Sequence, residues 1–122
     1  MAQKALLFND KEIYDIIMNS TDQKNIKKLG RLVKNYDESI WNSNRENIME
    51  TGLYFKFSQN KNIGQILINT GDKYIAECAP RDKIWGIGYG VNSALNNKEK
   101  WGQNLLGKTL MLVRHRLSTL NK

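Results

Sequence analysis

Apolar residues recur at intervals of three and four along most of this chain, and only one proline, Pro80, interrupts it. That spacing gathers side chains on one face of a helix, whereas a half-buried strand would alternate them. It predicts a first helix with Ala5, Phe8, Ile13, Ile16 and Ile17 inward, broken at Asn19-Ser20-Thr21-Asp22. Thr21 or Asp22 can cap a second helix through Ile26, Leu29, Leu32 and Val33. Asp37 can cap a third through Ile40, Trp41, Ile48 and Met49, with Gly52 as an interruption before Leu53, Phe55 and Phe57. Asn60 can cap a short segment with Ile63, Ile66 and Leu67, ended by Thr70-Gly71-Asp72. Lys73 to Cys78 alternates and reads as a strand. After Pro80 the chain turns irregular, and a last helix from about Asn104 to Leu120 faces Leu106, Leu110, Val113, Leu117 and Leu120 inward. The expected fold class is mainly α with a small β element (α+β), one domain over residues 1–122.

Composition narrows the chemistry. One cysteine, Cys78, and one histidine, His115, exclude a disulfide scaffold and a Cys/His metal cage, so no metal and no cofactor are expected. Apolar runs reach four residues at most, too short to span a bilayer, and the first residues lack the apolar stretch of a signal peptide. The expectation is a cytoplasmic, reducing compartment and no membrane partner. The net charge of +7 is uneven. Residues 1–36 carry seven basic and four acidic side chains, residues 37–80 four and six, and residues 81–122 eight and two. The last third therefore draws anions such as nucleotides, sugar phosphates or nucleic acid, unless its lysines serve only solubility.

Three constellations carry candidate chemistry. Glu77 closes the expected strand and Asp82 follows the turn that Pro80 forces, with Trp85 three residues on. Carboxylates leaving a strand end and a turn can converge on one pocket and divide acid and base roles. The plainer alternative has Asp82 capping the turn and Glu77 paired with a basic side chain. Gly86, Gly88 and Gly90 then alternate, which lets a ligand approach the backbone and exposes N–H groups to an anion, or marks an ordinary flexible turn. Finally, Asn104 opens the last helix with Lys108 one turn in: a cap, or amides and an ammonium that hold a phosphate.

At these residues the chain resembles a known family. Lys4-Ala5, Gly30-Arg31, Trp41 with Arg45, Lys56-Phe57-Ser58-Gln59-Asn60, Leu67 with Thr70-Gly71, Glu77 with Pro80 and Asp82, Trp85-Gly86-Ile87-Gly88, Trp101, Asn104-Leu105-Leu106-Gly107 and Met111 with Arg114 follow one another as in the NADAR, or YbiA-like, superfamily. The likeness runs from Ala2 to Leu117. It implies a mostly helical domain that hydrolyses N-glycosidic bonds in a ribosyl-linked nucleobase or an ADP-ribose conjugate. The family's substrates are phosphoribosylamino-pyrimidines in one branch and ADP-ribosylated guanine in DNA in another. The implied catalytic residues are Asp82, Glu77 and Trp41. Trp85, Lys56 and Asn104 are implied ligand contacts, and the residue pattern adds Arg31, Gly86, Gly88 and Lys108. The family pattern opens some tens of residues earlier, with a Phe-Ser-Asn-Phe type strand and a Ser-Glu pair. These 122 residues begin at Met1 just before Ala2-Gln3-Lys4, so that acidic position is not among them. A nucleotide-binding module or an interaction protein is the corresponding alternative.

Cleavage of a C1′–N bond builds positive charge on the ribose, which a fixed carboxylate near C1′ would stabilise while orienting water. Two carboxylates suit two jobs, one at the sugar and one at the leaving group, by analogy with O-glycosides. Trp41 or Trp85 would stack on the base, worth roughly 1–3 kcal/mol. Trp41, seven residues from Ile48, also suits a place in the core. Arg31, Lys56 and Lys108 are the phosphate candidates, and Cys78 is either reactive or a small buried hydrophobe.

Overall fold

A computed structural model describes residues 1–120, the side chain of Leu120 excepted. The inward placement expected for Leu120 thus lies outside the described residues. Among the described residues seven α-helices follow in order: α1 (Ala2–Leu7), α2 (Lys11–Met18), α3 (Gln23–Gly30), α4 (Glu38–Gln59), α5 (Lys61–Asn69), α6 (Val91–Ala94) and α7 (Leu105–Leu120), with a 3-10 segment at Leu95–Lys100 between the last two. No described helix is long and apolar enough to cross a membrane. The chain divides into two compact units, Met1–Ile48 and Met49–Lys122.

In the first unit, α1, α2 and α3 surround a core of Ala5, Phe8, Ile17 and Val33, against which Ile13, Ile26, Leu29 and Trp41 pack. The single first helix expected from the spacing is in fact two. Asn9 takes a left-handed φ of 57° and breaks the run. Asp10, 5% exposed, then caps α2 by accepting from the Ile13 amide at 3.2 Å. Its other oxygen accepts from the Lys34 amide at 2.7 Å, tying the start of α2 to the turn after α3. These amides, Lys34 foremost, hold the Asp10 carboxyl below its ordinary range against the opposing effect of burial. Asp22 and Asp37 cap α3 and α4 as expected, accepting from the Lys24 and Ile40 amides. Gly52 does not interrupt α4, which runs through it, and a Cβ there would meet nothing within 4 Å.

In the second unit, Leu67 of α5 and Val113 and Leu117 of α7 form the core, with Leu53, Tyr54, Phe57 and Ile75 against them. The expected strand at Lys73–Cys78 is not one, and no described residue lies in a β-strand. The segment turns Ile75 into the core, and a single backbone bond from a later segment, the Ile87 amide to the Glu77 carbonyl, forms no ladder with it. Other groups take its inward backbone atoms. Arg114 donates to the Thr70 hydroxyl and the Lys73 carbonyl at 2.9 and 2.7 Å. Asn104 takes the next two, at Ile75 and Glu77. The fold is therefore all-helical over the described residues, with a side-chain-anchored extended segment where a β element was expected.

Candidate functional site

The residues after Pro80 are irregular by secondary structure and yet closely bonded. The Glu77 carbonyl accepts from the amides of Ala79 at 3.0 Å and Ile87 at 2.9 Å, closing a loop. Inside it, Asp82 Oδ1 accepts from the amides of Ile84 and Trp85, both at 2.9 Å. This is the turn-capping role, and it fixes the orientation of the carboxylate. Gly86 is buried where a Cβ would come within 2.8 Å of the Glu77 carbonyl and 2.9 Å of the Asp82 carbonyl. Gly88 takes a φ of +83°, a left-handed conformation that L side chains rarely adopt. Gly86 and Gly88 thus serve the loop's own closure, whereas a Cβ at Gly90 would make only ordinary contact with Pro80.

Five backbone bonds join this loop to the start of α7. The carbonyls of Ile87, Lys83, Gly86, Ile84 and Trp85 accept from the amides of Gly102, Gln103, Asn104, Leu105 and Leu106 at 2.7–3.1 Å. Loop carbonyls therefore take the first two amides of α7, those of Leu105 and Leu106, which are then not available to a phosphate. Asn104 stands at the N-cap position, its carbonyl accepting from the Lys108 amide at 3.0 Å, but its side chain does not cap the helix. It is 1% exposed, holds a left-handed φ of 52°, and turns its side chain away from the helix. Its Oδ1 accepts from the Glu77 amide at 2.9 Å, and its Nδ2 donates to the Ile75 carbonyl at 2.9 Å and the Tyr74 hydroxyl at 3.3 Å. Asn104 is the clamp that places Glu77 and the loop, rather than a surface for ligand. Gly107 makes room for it, since a Cβ there would collide with the Ile75 carbonyl and the Asn104 amide.

Glu77, Asp82, Trp85, Gly86 and Gly88 are thus gathered in one bonded loop, with the Glu77 side chain exposed and Asp82 and Trp85 half-buried. Beyond Gly86, the amides of Gly88, Tyr89 and Gly90 donate to no protein acceptor among the described residues. Lys108 is exposed in the second turn of α7, and Lys56 is exposed on α4 with its ammonium 5.7 Å from the Phe57 ring. A neighbouring groove of about 600 Å³ is lined by Tyr74, Ala76, Cys78, Leu95 and Trp101 among others. It holds none of the residues selected from the sequence as ligand or catalytic groups. Cys78 lines it half-buried, with its sulfur 4.0 Å from the Ala76 carbonyl. Trp101 is pinned there by its indole N–H, which donates to the Ala94 carbonyl at 2.8 Å.

Trp41 and Arg31 lie in the first unit. Arg31 is exposed just past α3. Trp41 is half-buried against the core, as its spacing allowed, and the Lys4 ammonium stands 5.4 Å from its ring centre and 4.7 Å from that of Tyr36. Lys4 donates to the Gly30 carbonyl at 2.8 Å. Burial pushes the Lys4 amine below its ordinary pKa, although the aromatic faces and the carbonyl favour its charge. Sequence reasoning kept Lys4 only as part of a motif and passed over Tyr36. A lysine flanked by the apolar Ala2, Ala5 and Phe8 is the signal that could have found it.

Over the described residues an all-helical scaffold carries a glycine-spaced acidic loop, clamped by the asparagine that precedes the last helix. The NADAR domain family matches residues 1–118, and the chain belongs to that family. It is 47% identical over 116 residues to N-glycosidase R617 of Acanthamoeba polyphaga mimivirus, covering 93% of this chain and 68% of that protein. It is 35% identical over 123 residues to Protein irg-1 of Caenorhabditis elegans, covering 98% and 58%. N-glycosidase Npun_R5314 of Nostoc punctiforme is 31% identical over 119 residues, covering 98% and 70%. The chain thus spans between about three-fifths and seven-tenths of the length of these relatives.

Proposed function

We propose that this chain is a hydrolase of N-glycosyl compounds, cleaving the bond between a ribosyl group and a nucleobase-type nitrogen. The observation that carries the reading is a family match across both units, in which two relatives are named N-glycosidases. The geometry supports it. Two amides and a closed turn hold Asp82 in a fixed orientation, as a group that stabilises a developing oxocarbenium charge must be held. Glu77, whose backbone amide is held by Asn104, would orient water or protonate the leaving group. Trp85 in the same loop offers a ring to the base, and the amides of Gly88, Tyr89 and Gly90 offer donors to a phosphate. Lys56 and Lys108 of the same unit are the exposed cations for that phosphate. In the first unit, considered by itself, Trp41 with Lys4 beside it and the exposed Arg31 remain the candidates for a stacking ring and a bidentate phosphate ligand.

The finer substrate is a phosphoribosylamino-pyrimidine or an ADP-ribose conjugate of guanine, in a cytoplasmic setting. Incubation with a phosphoribosylaminouracil and, separately, with ADP-ribosylated guanine DNA tests this. Mass spectrometry should detect released ribose phosphate or ADP-ribose in one of the two. Calorimetric binding of ADP-ribose with no release from either substrate would overturn the hydrolase reading in favour of a binding module.

A further inference from the structure

The backbone groups of the segment after α5 fall into two sets. The carbonyls of Lys73 and Ile75 accept from Arg114 and Asn104, and the amide and carbonyl of Glu77 are taken by Asn104 and the Ile87 amide. The alternate residues differ. Among the described residues, the amides of Tyr74, Ala76 and Cys78 meet no protein acceptor, and the carbonyls of Tyr74 and Cys78 meet no protein donor. The Ala76 carbonyl has only the Cys78 thiol, a weak donor, at 4.0 Å. Alternate residues of a strand-like segment direct these groups to opposite edges. One edge is thus closed by side chains, and the other offers free donors and acceptors at a repeat of about 6.7 Å.

The side chains of the same three residues line the groove of about 600 Å³. Its other wall comes from α6 and the 3-10 segment, where Val91 and Leu95, 77% and 75% exposed, stand one turn apart with Lys98 beyond them. Trp101 closes the end beside Tyr74, their ring centres 6.3 Å apart. A free backbone edge beside an apolar helical wall suits an extended peptide, because main-chain bonds supply affinity and alternate side chains enter the groove. A compact apolar ligand would cover those backbone groups and leave them without partners. A second copy of the chain could offer a matching edge, but it brings a second charge of +7. Residues 81–122 carry eight basic and two acidic side chains, and Lys98 lies on the groove itself, so charge complementarity selects an acidic occupant. We propose that this groove docks an extended peptide segment of a partner protein, apolar at alternate positions and flanked by acidic residues, bonded along the free edge of Tyr74, Ala76 and Cys78. The proposal rests on free backbone groups and apolar walls and not on bond cleavage, so it and the proposed function can fail independently.

The test selects a display library of random linear decapeptides on the whole chain, then measures the most enriched peptide, synthesised with a fluorophore, by anisotropy. Enriched sequences should alternate apolar residues and carry acidic flanks. Val91→Glu/Leu95→Glu replaces side chains too exposed to hold the fold and should bind at least about tenfold more weakly. Phe55→Glu/Ile66→Glu alters two exposed apolar residues outside the groove and should bind as the parent does. Methylating alternate backbone nitrogens of the peptide separates main-chain pairing from apolar contact. One alternating set should cost at least about tenfold in affinity, and the other less than about twofold. Equal effects from the two sets would show an apolar groove without a paired edge and overturn the proposal. So would equal losses in the two protein variants, or a selection in which no alternating sequence is enriched. A parent that light scattering finds dimeric, and that Val91→Glu/Leu95→Glu makes monomeric, would overturn it in favour of a second copy.

Discussion

Removing the Asn104 side chain should unfasten the candidate site, and the structure allows the cost to be worked out. In Asn104→Ala the Glu77 amide and the Ile75 carbonyl lose the partners they bond at 2.9 Å. An unsatisfied buried backbone group costs about 1–3 kcal/mol, and these two are part-buried, so about 1–1.5 kcal/mol each applies. Alanine also tolerates the left-handed φ of 52° less well than asparagine, by about 1 kcal/mol. The expected loss is about 3–4 kcal/mol. At an m-value of roughly 1.5 kcal/mol/M this moves the urea midpoint down by about 2 M. Asn104→Gly loses the same bonds without the conformational penalty and should be about 1 kcal/mol less damaging. Urea unfolding followed by circular dichroism on the three proteins reads both numbers. A loss below 1 kcal/mol in Asn104→Ala, or a glycine variant as unstable as the alanine one, would refute the clamp.

Gly52 sits mid-helix in α4 with open space where a Cβ would be, so Gly52→Ala should raise stability by about 0.5–1 kcal/mol, measured by the same unfolding curves. Asp10 is held below its ordinary pKa of 3.8 when folded, so its contribution is complete above that value and is lost as pH falls through the lowered folded value. Asp10→Asn should therefore flatten the acid limb of a Tm-against-pH profile below about pH 4, and an unchanged limb would exclude the role. Lys4 titrates below its ordinary 10.5 when folded, so the unfolded chain binds more protons and stability climbs as pH approaches 10.5 from that lowered value. In Lys4→Met that alkaline rise should shrink, and thermal melts between pH 8 and 10.5 measure it.

Much of the helical plan was legible because it is local. Asp22 and Asp37 cap the helices that the spacing assigned to them, and Val113 and Leu117 carry the inward face of α7 as expected. The break at Asn9-Asp10 was missed, although an asparagine suited to positive φ followed by a capping aspartate is a stop-and-start signal. Alternation at Lys73–Cys78 was real but did not mean a sheet. It reflects Ile75 in the core and Tyr74, Ala76 and Cys78 on a groove, and periodicity cannot say whether a partner strand exists. The acidic loop was found as a cluster because its residues are neighbours in sequence. Its clamp was not, since Asn104 reaches Glu77 across 27 residues and an asparagine before a helix looks like a cap. Lys4 and Tyr36, 32 positions apart, meet only through the packing of the first unit.

We propose that the loop clamped by Asn104 acts through its carboxylates in hydrolysing an N-glycosidic bond. Single-turnover release of ribose phosphate or ADP-ribose, compared between the parent chain and Asp82→Asn, tests it most directly. Asparagine keeps an oxygen for the Ile84 and Trp85 amides and removes only the charge. The rate should fall at least about a hundredfold in Asp82→Asn, with ligand affinity and unfolding midpoint retained. An Asp82→Asn protein that releases product at the parental rate would contradict it.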